Sequence, residues 1–430
     1  MASALERTSG RVGDYRVPFA SGSLEHHAEI PEQNLFRCLF GRDSLIISSL
    51  LRDTDPNLSF QTVCALAEHQ GATFDSLSEE EPGRIAHEVR DKNDPQAIRI
   101  AAEAGWRFPY YGSVDATLLW LIALEQLCET DNDILELEIG GLSLASRAEL
   151  ATEWILARLE SGGGVIRSNR SNPKGILNQV WKDSGDSFLT RGGEVATESQ
   201  TAAVETIGDC FDALLAASKL AERSAHNWSV TPSQLLEAAE SLRRQLIENW
   251  WLGDHFAMGL GKIGGRDTLL DALASNQWRL LDSSILLAPE CDEFAKALID
   301  SVTDPDILGP SGLRTLSKSN PRYRAGGYHT GSSWPMDATL VARGLLRHGA
   351  TNEALEVGSK TLAAIDGVGG YPEFFRSDDA EKSYLTRWVI DAWDPVIESS
   401  NRICQPPQLL QGWTIAAYQW LQSHGFETKN

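Results

Sequence analysis

From about residue 41 onward, apolar positions recur three and four apart far more often than they alternate, the spacing of helices rather than strands. The pattern predicts helices near 42–52, 58–70, 114–129, 145–160, 199–222, 233–250, 270–288, 292–302, 335–349, 352–365 and 407–422. Within it, VDATLLWLIALEQLCE at 114–129 is apolar almost all round, as a helix packed on both sides requires. QLLEAAESLRRQLIE at 234–248 keeps its charge on one face and suits an outer layer. Alternating buried and amphipathic helices, with no comparable run of strands, predict an all-α fold of concentric helical rings. Four long stretches interrupt the pattern, at 71–92, 161–198, 303–334 and 366–405, and they hold the densest clusters of Trp, Tyr, Asp, Glu and His. Loops of that length inside a folded domain are usually functional, so they are expected to build a site at one mouth of the rings. No low-complexity linker or composition break divides the chain. Residues 1–30 read as a lead-in or cap, and 31–430 as a single catalytic domain.

Composition narrows the partners. The 430 residues carry a formal charge of −22, which repels nucleic acid and anionic membrane surfaces. Hydropathy shows no membrane-spanning run and the first residues lack an export signal, so a cytoplasmic protein is expected. The six cysteines stand singly within mostly apolar surroundings and read as buried, reduced thiols. His26 and His27 are adjacent rather than a helical turn apart, and no metal, dinucleotide or phosphate motif occurs, so no cofactor or metal is expected. Thirteen tryptophans suit a chain that stacks on sugar rings.

The densest chemistry lies in NQVWKDSGDS at 178–187, where Asp183 and Asp186 stand beside Trp181 and Lys182. An indole stacks on the apolar face of a pyranose, while a carboxylate accepts hydroxyl protons or donates one to a glycosidic oxygen. Phe40-Gly41-Arg42-Asp43 reads as a helix start, with a donor fork and an acceptor side by side. Glu205 lies inside an apolar helical stretch, so it is either paired with a base or aimed into a site. In GGYHTGSSWPMD, Pro335 opens a helix and fixes the loop carrying His329 and Trp334. Glu373 sits between aromatics in GGYPEFF.

Five segments in order, FGRDSLI, GRIAHEVR, YYGSVDATLLWL, NQVWKDSGDS and GGYHTGSSWPMDATLVARGL, make the chain resemble the amylo-α-1,6-glucosidase portion of glycogen-debranching enzymes. The resemblance implies a six-hairpin (α/α)6 toroid and an inverting exo-acting α-glucosidase, with an oligosaccharide or small glycoside as partner. It implies that Arg42 and Asp43 clamp the terminal glucose, and that Tyr111, Asp115, Trp181, Lys182, Glu205, His329 and Trp334 join the binding set. By the debranching pattern Asp183 is the general acid; by the pattern of trehalases and their relatives it is Asp186. Glu373 matches the catalytic base. Other small glycosides remain alternatives, among them trehalose and glucosyl- or mannosyl-glycerate. So do a non-catalytic carbohydrate-binding protein and a sugar epimerase.

Overall fold

The computed structural model describes residues 3–22, 35–377 and 407–428. The α-helices are α1 (Ala4–Arg7), α2 (Gly41–Leu50), α3 (Pro56–Glu68), α4 (Pro95–Ala104), α5 (Asp115–Cys128) and α6 (Leu144–Ser161). They continue with α7 (Val204–Arg223), α8 (Pro232–Trp250), α9 (Asp292–Ser301), α10 (Pro335–Arg347), α11 (Thr351–Val368) and α12 (Gly412–Ser423).

Packing sorts these elements into two layers. An inner ring runs α2, α5, α7, a 3-10 helix at Ser275–Asp282, α10 and α12, and closes where α12 meets α2. Outside it, α3 covers α2, α6 and α8 flank α7, α9 covers the 3-10 helix, and α11 covers α10. The seam between α12 and α2 is covered by α1 and by the hairpin of β1 (Ser9–Val12) and β2 (Tyr15–Pro18). Two hydrogen bonds pin this N-terminal unit: Ser44 Oγ donates to Pro18 O at 2.6 Å, and Gly412 N to Ala20 O at 2.8 Å. The architecture is an (α/α)6 toroid.

The layers follow from residue patterning. In α5, ten of fourteen residues are buried, including Trp120 and Leu124, because neighbours pack on every side. In α8 only Leu235, Ala239, Leu242, Leu246 and Trp250 are buried, one stripe three to four residues apart. Each leucine so buried contributes about 1.5–3 kcal/mol. Three of the outer helices start on side-chain caps, Asp55 for α3, Ser143 for α6, and Thr231 in a capping box with Gln234 for α8, whereas α9 and α11 have none. The inner helices α2, α5, α7, α10 and α12 have no side-chain cap. Their first turns are left open toward one mouth of the ring.

Two expectations need correction. The helix expected at 270–288 is the end of a strand (Arg266–Leu270) followed by 3-10 turns, because its leucine spacing suits an extended strand and a tight helix equally well. That strand pairs with Gly259–Ile263 in a hairpin, and Gly264 and Gly265, both at positive φ, make the two-residue turn. Helix α4 was not expected. It has a cap at Asp94 but buries only Ala97, so it shows no apolar stripe. Cys38, Cys64, Cys128, Cys210 and Cys291 are free and buried, while Cys404, His26 and His27 lie outside the described residues. Among the described residues no helix is long and apolar enough to cross a membrane.

Candidate active site

The open first turns of the inner ring and the loops between hairpins surround one cavity, with an empty volume of about 350 Å³. It is lined by Phe36, Phe40, Arg42, Asp43, His87, Trp181, Asp183, Tyr328, Trp334, Glu373, Gln411 and Trp413. Arg42 and Asp43 come from the first turn of α2, Trp334 stands just before α10, and Trp413 opens α12. Parallel inner helices aim their positive dipole ends at this mouth, a setting that suits carboxylates and oxygen-rich ligands.

Two loops far apart in sequence bring Asp183 and Glu373 to the same cavity. The Asp183 loop is stitched to the start of α5 by Val114 N donating to Gln179 O at 2.8 Å. It closes on itself through Asn178 Nδ2 to Ser184 O at 2.8 Å and Ser187 Oγ to Lys182 O at 2.6 Å. Behind it, Glu79 holds a left-handed backbone conformation, φ 58°, and is buried with its carboxylate on the Gln179 amide, while Arg84 donates to the Gln179 carbonyl at 2.9 Å. The Glu373 loop is tied to the Tyr328 loop by reciprocal hydrogen bonds between Ser333 and Phe375, at 2.8 and 2.9 Å. Tyr328 Oη donates to Glu373 Oε1 at 2.7 Å, and Gln408 N to Oε2 at 2.9 Å, so the carboxyl is held on both oxygens.

One guanidinium faces several carboxyls here. Arg42 Nε donates to Asp115 Oδ2 at 2.6 Å, while Nη2 is buried without a partner. Burial pushes the Asp183 carboxyl up to about 6 against the pull of Arg42. Burial pushes Asp43 up to about 7, with Arg42 opposing and Asp183 and Asp115 adding to the rise. Glu373 is driven to about 8 by burial, partly offset by the Gln408 and Tyr328 hydrogen bonds and reinforced by Asp43 and Asp183. The cavity therefore holds a proton among these acids near neutral pH.

The structure places the other sequence candidates in two groups. Trp181 and Trp334 wall the cavity with their rings edge-on, centroids 5.8 Å apart, and Trp181 Nε1 is buried without a partner. Six other candidates lie outside the cavity lining. Tyr111 is a correction: its hydroxyl donates to His69 O at 2.9 Å, which ties it to the end of α3. Lys182 is a second, because its ammonium is buried and donates to Asn276 Oδ1 at 2.6 Å and Thr315 O at 2.7 Å. Glu205 accepts from Asn276 Nδ2 at 2.9 Å, so it anchors the 3-10 helix to α7 beneath the site. Asp115 acts through Arg42. His329 sits behind the tryptophans, stacked on Trp334 at 5.1 Å, and its Nδ1 meets Ser184 Oγ at 2.9 Å, so it steadies the Asp183 loop. Burial, with Lys182 and Arg42 nearby, keeps this imidazole neutral. Asp186 accepts from Ser184 Oγ at 2.9 Å and lines a separate small cavity with Arg322, Arg324 and Thr330.

Sequence reasoning missed Phe36, Phe40, His87, Tyr328, Gln411 and Trp413. A usable signal existed for three of them: His87 lies in GRIAHEVR, Tyr328 precedes His329, and Trp413 opens an inner helix as Arg42 does.

At one mouth of the toroid, tryptophan walls and the carboxyls of Asp43, Asp183 and Glu373 thus share a single cavity. Residues 198–388 match the family model of the mannosylglycerate hydrolase MGH1-like glycoside hydrolase domain. Among solved structures, the chain is similar to the GH63 mannosylglycerate hydrolase from Thermus thermophilus. In that enzyme's complex with Tris and D-glycerate the TM-score is 0.65 at 14% identity, over 98% of both chains. In its glucose complex the TM-score is 0.63 at 15% identity, over the same 98% of each. A further structure, described as a glycosidase, aligns with a TM-score of 0.60 at 16% identity over 97% of this chain and 93% of its own. No curated protein matches.

Proposed function

We propose that this protein is an inverting glycoside hydrolase that removes one hexose from a small α-glycoside, with a hexosyl-glycerate as the substrate class. The observation that carries the reading is the meeting of Asp183 and Glu373, together with Arg42 and Asp43, in one cavity. The matched domain and the toroids that bind glucose or D-glycerate favour a small aglycone, in place of the branched dextrin that the debranching resemblance implies.

In this mechanism Asp183, its carboxyl raised to about 6 by burial, donates a proton to the glycosidic oxygen from the singly protonated form of the pair in which Glu373 is ionised. Glu373, fixed on both oxygens, takes a proton from water on the opposite face of the ring. An inverting pair stands about 6.5–9.5 Å apart to admit that water. Arg42 and Asp43 hold the outer hydroxyls, and Trp181, Trp334 and Trp413 exclude bulk solvent. Asp186, turned into its own cavity, takes no part in the bond cleavage.

The test is a substrate panel of mannosylglycerate, glucosylglycerate, trehalose, isomaltose and limit dextrin, with released hexose measured. Turnover of a hexosyl-glycerate well above the dextrin is expected. Turnover confined to isomaltose and dextrin would return the protein to the debranching class.

A further inference from the structure

The GRIAHEVR segment helped to carry the family resemblance but received no role from it, and the structure brings one of its side chains into the cavity. His87 is only 2% exposed and its ring forms part of the cavity lining beside Phe40, Arg42 and Asp43. Its place is built by the backbone. His87 N donates to Tyr110 O at 2.8 Å, and Gly41 N donates to His87 O at 2.8 Å. Next to it, β3 (Leu39–Phe40) pairs with β4 (Glu88–Val89). Gly41 permits this approach, since a Cβ there would lie 2.2 Å from Ala86 O. The ring is wedged edge-on between Phe40 and Tyr110, with centroids 5.3 and 6.4 Å away.

Among the described residues nothing uses the Nδ1 nitrogen, which is buried without a hydrogen-bond partner. The imidazole is neutral, held so by burial and by the neighbouring Arg42 and Arg84 cations, and a neutral ring has one donor and one acceptor nitrogen. Sealing away a bare lone pair costs less than sealing away an unpaired N–H. The proton therefore belongs on Nε2, the nitrogen left to meet a ligand.

We infer that His87 is a substrate-binding residue that donates a hydrogen bond from Nε2 to one hydroxyl of the bound hexose, on the side held by Arg42 and Asp43. A neutral donor suits that corner. The Arg42 cation already stands there, and a second cation on the imidazole would be repelled by it. This inference rests on the hexose-binding reading of the cavity but not on hydrolysis.

The experiment reads binding. Methyl α-D-mannopyranoside, methyl α-D-glucopyranoside and their four monodeoxy derivatives are titrated against the protein by quenching of tryptophan fluorescence, since Trp181, Trp334 and Trp413 line the cavity. The proteins compared are wild type, His87→Phe, which keeps a ring but no donor, and His87→Gln, which keeps a donor. His87→Phe is expected to weaken binding of the parent sugar by about tenfold. It should leave binding of one deoxy derivative unchanged within error, while His87→Gln restores part of the loss. Equal weakening for every sugar, or none, would show that His87 only fills space. Wild-type protein that binds no hexoside would remove both this inference and the hexose site. Binding without turnover would remove only the hydrolase reading.

Discussion

Asp183 and Asp186 are three residues apart, yet the structure turns them into different cavities, and that separation makes the sharpest test of the acid assignment. Asp183→Asn is expected to lower kcat/KM by roughly 10²–10⁴-fold, while Asp186→Asn stays within a few-fold of wild type. Steady-state kinetics on the best glycoside decides it, and the reverse order would move the acid to Asp186. The same pair of acids sets a pH profile. With Asp183 near 6 and Glu373 near 8, the pair carries one proton between those values. Between those values the proton rests mostly on Glu373, and the reacting form, with the proton on Asp183 and Glu373 ionised, is a constant minor share; below about pH 6 both acids are protonated, and above about pH 8 neither is. Plots of kcat/KM should therefore be bell-shaped between these limits, and a profile flat from pH 5 to 9 would contradict it. At this scale the sequence pointed to candidate acids that the structure brings to one cavity, Asp183 and Glu373, because acids beside aromatic residues in loops are poor material for a core. It could not show direction. Lys182 and Tyr111 look like ligand-binding residues in sequence, and only packing reveals that their polar atoms are spent on Asn276, Thr315 and His69.

The weakest element for sequence reading, the 3-10 helix at Ser275–Asp282, is also one the inner ring depends on. It is seated between two glycines: a Cβ on Gly208 of α7 would lie 2.9 Å from Ser283 Cβ, and one on Gly344 of α10 would lie 2.5 Å from Asp282 N. Arg343 of α10 then grips the Asp282 carboxylate at 2.7 Å. Gly344→Val forces a branched side chain against the backbone of the 3-10 helix, which costs about 1–3 kcal/mol. Calorimetry should show a clearly lowered Tm with activity lost in parallel, and an unchanged Tm would mean that the ring does not close through this contact. The long inner and outer helices were legible because burial on all sides or on one stripe leaves a mark in hydrophobicity. This short element left only an ambiguous mark, read as part of a longer helix at 270–288, since its position is fixed by what its neighbours lack.

At the scale of the whole molecule, the toroid has two mouths of different chemistry. The mouth at the C-terminal ends of the inner helices opens on a larger cavity, about 1310 Å³ of empty volume, but no aromatic ring among the described residues lines it. Several of its charges are already matched, as in Arg343 with Asp282 at 2.7 Å, Lys219 with Glu125 at 3.2 Å and Arg52 with Glu129 at 3.0 Å. Burial raises carboxyls in both cavities, Asp209 of the larger one to about 8, but among the described residues only the smaller mouth sets them beside tryptophans, the arrangement that the proposed hydrolysis requires. Helical periodicity foretold the rings, and the long loops supply much of the lining of a cavity at one end. The closure that joins Asp183 to Glu373 is a property of the ring and has no local signature. The measurement that tests this closure most directly is proton NMR of a hexosyl-glycerate digest, following the anomer released in the first minutes. Opposed acid and base with water between them should release the β-anomer from an α-glycoside. Initial release of the α-anomer would mean that Glu373 attacks the sugar itself or takes no part, and would contradict the account.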